Sequence, residues 1–428
     1  MDWLPVGDTS SLFPVACLQP SSAAEGGERR GEDTDRSYGW SYLMRHMIAR
    51  RAVLGAGLTA ALGGASIRAV AQSRIASAGL GCYVGNPNGN DSKEMSTFEQ
   101  SFDRFAAALG AAPAFMNAFT DFSGSWDKWV ANAGWLAWSW SQSSRSRHLT
   151  PVIGLPMATN ADWATQPAVG TFRDITAGRH DAVWSGIVAA WRDNGYRTMY
   201  LRPGYEMNGS FMPWFMGRDA SSIDAWSAAF ARISSVARTV PNVHVRIVWN
   251  PVCINDSGAD VASGYPGDAA VDVIGIDLYN NFWPRSLYSF STGTTEPSLA
   301  SWRRDPANRT HFWDYPGATR GAPTGQTGVG WGMVRALAFA LEHDKPVAVC
   351  ETGVGVNPQH PEHGLADDGE FPNYLQSRLF AAGAPRVEFI NIWDVNVGDG
   401  NWRFSDGSKP STLAGWRNAL SRAGLRPT

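Results

Sequence analysis

Two glutamates stand out by their settings. Glu206 lies in "LRPGYEMNGSFMPW" (201–214), after an apolar lead-in and before a cluster of Met, Asn, Gly, Phe and Trp. Glu351 lies in "PVAVCETG" (346–353), at the end of a small, β-branched run. A buried acid is costly unless it is paired or used. Two acids that face each other can flank one bond, which is what cleavage of a glycosidic bond needs. One protonates the leaving oxygen; the other attacks the anomeric carbon or activates water. Retention places such carboxyl groups ~5–5.5 Å apart, and inversion ~6.5–9.5 Å. For either acid alone, an ion pair with an arginine that holds a loop is a sufficient reading. Two acids in matching positions, amid Trp and Tyr, point to chemistry.

The elements that must position them alternate between short apolar runs and amphipathic stretches. Strands are read at 79–85, 113–122, 149–157, 197–206, 243–251, 271–280, 346–353 and 387–396. Helices are read at 96–110, 126–141, 179–194, 223–238, near 330–343 and at 411–423. The first is given a Ser96-x-x-Glu99 capping box. The segment 281–329 shows no clear helix until its end, and loops that long are usually functional. Eight strands with helices between them predict an α/β chain, a (β/α)₈ TIM barrel in a single domain. A doubly wound open sheet is the alternative, but no Gly-rich phosphate loop follows any strand. In a barrel, chemistry sits at the C-terminal strand ends. Strand four ends in Glu206, strand five in Trp249-Asn250, strand six in Asp277-Leu278-Tyr279-Asn280, strand seven in Glu351 and strand eight in Trp393-Asp394. Asp277 and Tyr279 share a face, and Asp277 is placed to pair with Arg202 inside the barrel. Cys350 alternates away from Glu351 and reads as an inert buried thiol.

Composition narrows the partners. The net charge of −3 gives no electrostatic case for nucleic acid. Twenty Trp exceed what a core needs, so some are expected to line a surface that grips sugars. Trp283, Trp313 and Trp331, in or after the long segment, read equally as sugar platforms or loop anchors. The four cysteines have no metal spacing and read as mostly free. His360-Pro361-Glu362-His363 has metal-like spacing, but a Pro-containing loop weighs against it. No cofactor and no metal are called for. Residues 1–43 read as a disordered extension. Residues 44–72 carry Arg50-Arg51, a weakly apolar Gly/Ala-rich run and Ala69-Val70-Ala71, the marks of a twin-arginine-like export signal, with ordinary Sec export or a short membrane anchor as the alternatives. The catalytic domain is then 73–428, expected to be periplasmic or secreted, with no membrane segment in the mature form and as a monomer.

"RPGYEMNG…W" on strand four, with "ETG" on strand seven, resembles glycoside hydrolase family 26 within the clan of retaining (β/α)₈ glycosidases. That family is best known for β-mannanases, with some members acting on β-glucans or β-1,3-xylan. The resemblance implies that Glu206 is the acid/base and Glu351 the nucleophile. It implies that Arg202 lies beneath the site, Tyr279 near the nucleophile, Trp393 at the floor of the central sugar site and Trp214 on the strand-four loop. Tyr205 departs from the pattern, because family mannanases carry His directly before the acid/base. With Trp249 and Trp283 added, these residues form the expected substrate-binding set. The expectation is a retaining endo-β-glycoside hydrolase acting on a polysaccharide or oligosaccharide, β-1,4-mannan by family default. A β-glucan or an exopolysaccharide is the alternative substrate, and a non-catalytic carbohydrate-binding barrel the rival of another class.

Overall fold

Parallel strands in a closed barrel are buried on both faces, so they read as near-continuous apolar runs. Eight such runs form β1 (Gly79–Tyr83), β2 (Phe115–Phe119), β3 (Thr150–Leu155), β4 (Thr198–Pro203), β5 (His244–Trp249), β6 (Val273–Asp277), β7 (Val347–Thr352) and β8 (Val387–Trp393). They pair in parallel in sequence order, and β8 closes the ring on β1 from Gly79↔Phe389 to Tyr83↔Trp393. The computed structural model describes residues 78–425, apart from residue 124, 254–258, 282–302, 317–329, residues 360 and 399, and the side chain of residue 362. The readings of the N-terminal extension, the export signal, Trp283 and His360 lie outside the described residues.

The helices are α1 (Ser92–Leu109), α2 (Trp126–Gln142), α3 (Val169–Thr176), α4 (Asp181–Asp193), α5 (Ala220–Arg238), α6 (Pro306–Asp314), α7 (Met333–Glu342), α8 (Glu370–Leu379) and α9 (Pro410–Arg422). Two expectations need correction. The capping box at Ser96 does not form, because α1 starts earlier. Asp91 caps it, its carboxylate accepting from the N–H groups of Lys93 and Glu94. Glu99 instead reaches the end of α2 and accepts from the Ser143 and Ser144 hydroxyls. The long segment does hold a helix, α6, with Asp305 as its cap and Pro306 in its first turn.

Most of the described tryptophans pack inside the protein rather than on a sugar-gripping surface. Trp129, Trp140, Trp184, Trp191, Trp226 and Trp416 are fully buried. They pack edge to face in groups, as Trp129 does on Trp184 (6.0 Å between rings) and Trp140 on Trp191 (5.1 Å). Among the described residues, Trp163 is the exposed tryptophan, at 41%.

Inside the barrel, side chains stack in layers. Phe115, Tyr200 and Phe389 form an aromatic layer with rings 4.8–5.9 Å apart, joined by Val152, Val248, Val273, Ala348 and Cys350. Glu388 accepts from the Tyr200 hydroxyl (2.8 Å) and from Arg246 (3.0 Å) at this end. Next comes a layer of amides. Asn391 donates to Asn117 Oδ1 (2.6 Å), and Asn117 donates to the Cys350 carbonyl (2.8 Å). These large groups fit because β1 supplies Gly81 beside them: a Cβ there would stand 1.5 Å from Asn391 Oδ1.

This packing predicts opposite results for two alanine substitutions. Gly81→Ala should destabilise by about 1–3 kcal/mol through overpacking. Gly170→Ala, in α3 with nothing within 4 Å of the new methyl, should stabilise slightly, by at most about 1 kcal/mol. Urea unfolding of the two variants checks both.

Candidate active site

β4 ends at Pro203, three residues before Glu206, which sits in the turn that follows rather than on the strand as expected. The turn is tight. Gly204 adopts φ 54°, and a Cβ there would meet Met157 Sδ at 2.6 Å and Trp226 at 2.9 Å. Glu206 itself adopts φ 54°, the left-handed region that favours glycine. Its neighbours hold it there. The Glu206 N–H donates to the Asn250 carbonyl (2.7 Å), and its carbonyl accepts from Gly209 (2.8 Å). Asn208 is tied to the Val252 backbone through both its amide nitrogen and its oxygen, each at 2.9 Å. Trp214 donates to the Tyr205 carbonyl (2.6 Å). The strand-four motif is therefore a pinned turn that presents one carboxylate at the barrel mouth.

Glu351 reaches the same mouth by another device. The β7 ladders shift register against both neighbours, between Ile276 and Asp277 on β6 and between Val349 and Thr352 toward β8. Such irregularities re-aim a side chain. Cys350 joins the aromatic layer inside the barrel, where burial pushes its thiol up, in keeping with an inert role. Glu351 stands above it.

Arg202 joins the parts. Its Nη2 donates to Glu351 Oε1 (2.6 Å) and Asp277 Oδ2 (2.7 Å), and its Nε to Asn250 Oδ1. Glu351 Oε2 accepts from the Tyr279 hydroxyl (2.9 Å). Arg202 and Asp277 have no exposed surface. Burial alone would lower the Arg202 pKa, but Asp277 and Glu351 raise it well above the usual range. Burial pushes the Asp277 carboxyl up; Arg202 pulls it down, and the nearby Glu351 adds to the rise. One oxygen from each of Glu206, Asp277 and Glu351 lies within 4.8 Å of the others, the only such acidic group among the described residues that could hold a metal ion. Arg202 already supplies positive charge to two of the three.

Around this centre stand aromatic rings. Trp393, 5% exposed, packs on Tyr83 (4.5 Å), Phe119 (5.8 Å) and Tyr279 (6.1 Å). Tyr205 lies between Phe119 (5.7 Å) and Trp214 (4.9 Å), with the Arg202 guanidinium 5.1 Å from its ring centre. Gly154 makes the room, since a Cβ there would stand 3.0 Å from Tyr205.

Of the expected binding residues, Tyr279 and Trp393 are at the mouth beside the carboxylates. The other described members of that set are buried among protein groups. Trp249 faces outward: it is fully buried, donates to the Gly264 carbonyl (3.2 Å) and packs on Phe339 and Trp331. Its neighbour Asn250 faces in. Trp214 is fully buried as a prop for Tyr205, and Tyr205 is 2% exposed. Arg202 acts on the carboxylates and presents no surface of its own. Trp313 and Trp331 are buried anchors. Tyr83 and Phe119 are additions. Each is the last residue of its strand and belongs to the inward set, so carrying the strand-end rule through β1 and β2 would have found them. Trp402, which packs on Tyr279 at 4.6 Å, lies beyond β8 and carried no such signal.

Removing the shared cation should be costly. Arg202→Met leaves two carboxylates facing each other in a dry site and should lose about 3–5 kcal/mol of stability. Adding Asp277→Asn should recover part of that loss. Urea unfolding of the single and double variants measures it, and an unchanged midpoint in Arg202→Met would contradict the assignment.

No protein-family model matches the chain. Over 258 residues, 60% of the chain, it is 31% identical to Endoglucanase H of Acetivibrio thermocellus. The chain spans about a quarter of that relative's length, 23%. Solved structures similar to it include a GH26 β-mannanase from Bacteroides ovatus, 14% identical with a TM-score of 0.45, covering 83% of this chain and 92% of that one. An endo-β-1,4-mannanase double mutant from Cellulomonas fimi is 15% identical with a TM-score of 0.48, covering 83% and 76%. In its strand-four and strand-seven motifs, "RPGYEMNG…W" and "ETG", the chain resembles glycoside hydrolase family 26.

Proposed function

We propose that the chain is a retaining endo-β-glycoside hydrolase that cleaves a polysaccharide. One observation carries the reading: carboxylate oxygens of Glu206 and Glu351 lie within 4.8 Å of each other at the C-terminal mouth of the barrel. That approach is nearer the ~5–5.5 Å separation of retention than the ~6.5–9.5 Å of inversion, which supports the retaining reading. In this reading Glu206 protonates the leaving oxygen as a Glu351 oxygen attacks the anomeric carbon. The old C–O bond breaks and a glycosyl ester forms on Glu351. Water, giving its proton to Glu206, then breaks that ester. Arg202 and Tyr279, both bonded to Glu351, orient it for attack. As the ester forms, Glu351 loses its charge, and Asp277 keeps Arg202 paired. A non-catalytic sugar-binding barrel has no use for two carboxylates held this close.

For the polymer, the name of the sequence relative favours a β-glucan. β-1,4-Mannan is the default of the resembled family, and Tyr205 before the acid/base is the departure that weighs against it. An exopolysaccharide is the third candidate. We also propose export through residues 44–72 and action outside the cytoplasm as a monomer. No described helix is long and apolar enough to cross a membrane. Secretion of a folded reporter fused to residues 1–72, lost when Arg50 and Arg51 are both changed to Lys, would support twin-arginine export.

The two glutamates should fail differently. Glu206→Ala should cripple hydrolysis of a polysaccharide yet spare much of the first step on an activated aryl glycoside, where the leaving group needs little protonation. Glu351→Ala should lose both substrates together. Azide should speed turnover by Glu206→Ala and give a β-glycosyl azide, but give the α-product with Glu351→Ala. An α-product from Glu206→Ala would reverse the roles. Wild-type rates in both variants would place the site elsewhere. A panel of mannans, β-glucans and xylans identifies the polymer.

A further inference from the structure

Lys409 is a cation where a cation is badly placed. It is 5% exposed, and it occupies the N-cap position of α9 with no side-chain capping bond. Lysine is a poor cap, and the positive end of a helix repels it. The helix is capped from outside instead: Asp367 accepts from the N–H groups of Ser411 (3.1 Å) and Thr412 (2.7 Å). Helix formation therefore does not explain Lys409.

Its ammonium does something else. It donates to the carbonyl of Val354 (2.7 Å) and to that of Asn401. Val354 lies three residues after Glu351. Asn401 ends the short hairpin of β9 (Asn396–Val397) and β10 (Gly400–Asn401) and directly precedes Trp402. The same two segments meet again where Val356 N–H donates to Asn401 Oδ1 (3.1 Å) and Asn401 N–H to the Val356 carbonyl (3.2 Å). Trp402 packs its ring on Tyr279, at 4.6 Å, in a slot that glycines keep open. A Cβ on Gly355 would stand 2.8 Å from Trp402, and one on Gly353 3.3 Å from both rings. Tyr279 in turn donates to Glu351 Oε2 at 2.9 Å.

We propose that Lys409 is a positioning residue for Glu351. It clips the loop after β7 to the hairpin after β8, which seats Trp402 against Tyr279 and so fixes the Tyr279 hydrogen bond to the carboxylate. This rests on the hydrolase reading above. The clip is also sensitive to pH. Burial pushes the Lys409 ammonium down to about 8, against the pull of Asp367, Asp394 and Asp406. Around those acids stand Arg403, which pulls on Asp394 and Asp406, and Arg104, which pulls on Asp406. Above that pH the amine is neutral and a weaker donor, so the clip loosens. The sign for stability is opposite. The folded pKa lies below the unfolded value of ~10.4, so this group adds stability as pH rises between the two. Activity lost across this window through Lys409 is not unfolding driven by Lys409.

The test is steady-state hydrolysis of an activated aryl glycoside from pH 6 to 10 by wild type, Lys409→Met, Lys409→Arg and Trp402→Leu, with melting curves for each. Lys409→Met should lower kcat about tenfold to a hundredfold with little change in KM, because small misplacements of a reacting group cost that much. It should also lose the alkaline step near pH 8. Lys409→Arg, which stays charged, should keep most of the rate and move that step upward. Trp402→Leu should reproduce the fall in kcat, and together with Lys409→Arg it decides the matter if Lys409→Met fails to fold. A folded Lys409→Met with wild-type kcat and an unchanged alkaline limb overturns the proposal. So do wild-type kinetics in Trp402→Leu. A wild type that turns over no glycoside removes the hydrolase reading and this one with it, and is told apart because no variant is then needed.

Discussion

The structure depends on one buried charge. Arg202 has no surface open to water, and its guanidinium must be paired where it lies. Its partners come from three strands or their ends: Asn250 after β5, Asp277 on β6 and Glu351 on β7, all gripped from β4. Only a closed barrel brings these residues to one point. The same pairing fixes the surroundings of Glu351. Glu351 is bonded from two sides, by Arg202 and Tyr279, and Glu206 is presented by a turn whose backbone is tied to the strand-five loop. Two acids of the same type thus enter the mouth in unequal settings.

The layers below serve that charge. Aromatic rings fill the lower barrel, amides the middle, and ions the top. The amide layer carries its own hydrogen bonds, from Asn391 to Asn117 and from Asn117 to the Cys350 carbonyl. Asn117 and Asn391 separate the Phe115–Tyr200–Phe389 layer from Arg202, so the ionic layer rests on groups that can meet it with dipoles. Gly81 is the room this needs.

Much of this was legible because barrel strands advertise themselves. No strand end differs by more than three residues from the sequence reading. The two glutamates and the Arg202–Asp277 pair followed from strand ends and alternation. What failed did so for local reasons. Trp249 and Asn250 both end strand five, and a shift of one residue along a strand turns the side chain to the other face, so Asn250 and not Trp249 meets Arg202. The count of tryptophans misled in the same way, since they pack the layer between barrel and helices. The register shift in β7 left no trace in "PVAVCETG", and simple alternation cannot place Cys350 and Glu351 where they are. Helix α6 was missed although Asp305-Pro306 announced it. The Lys409 clip depends on carbonyls from two distant segments, which no pattern of residue types encodes.

Glu206 keeps a backbone conformation that suits glycine or asparagine, at a cost on the order of 1 kcal/mol or more. Selection for stability alone would relax that position quickly, since a single nucleotide change turns a glutamate codon into one for glycine. Strain and acid thus sit in one residue: a glycine here would relieve the backbone and remove the carboxyl group in the same step.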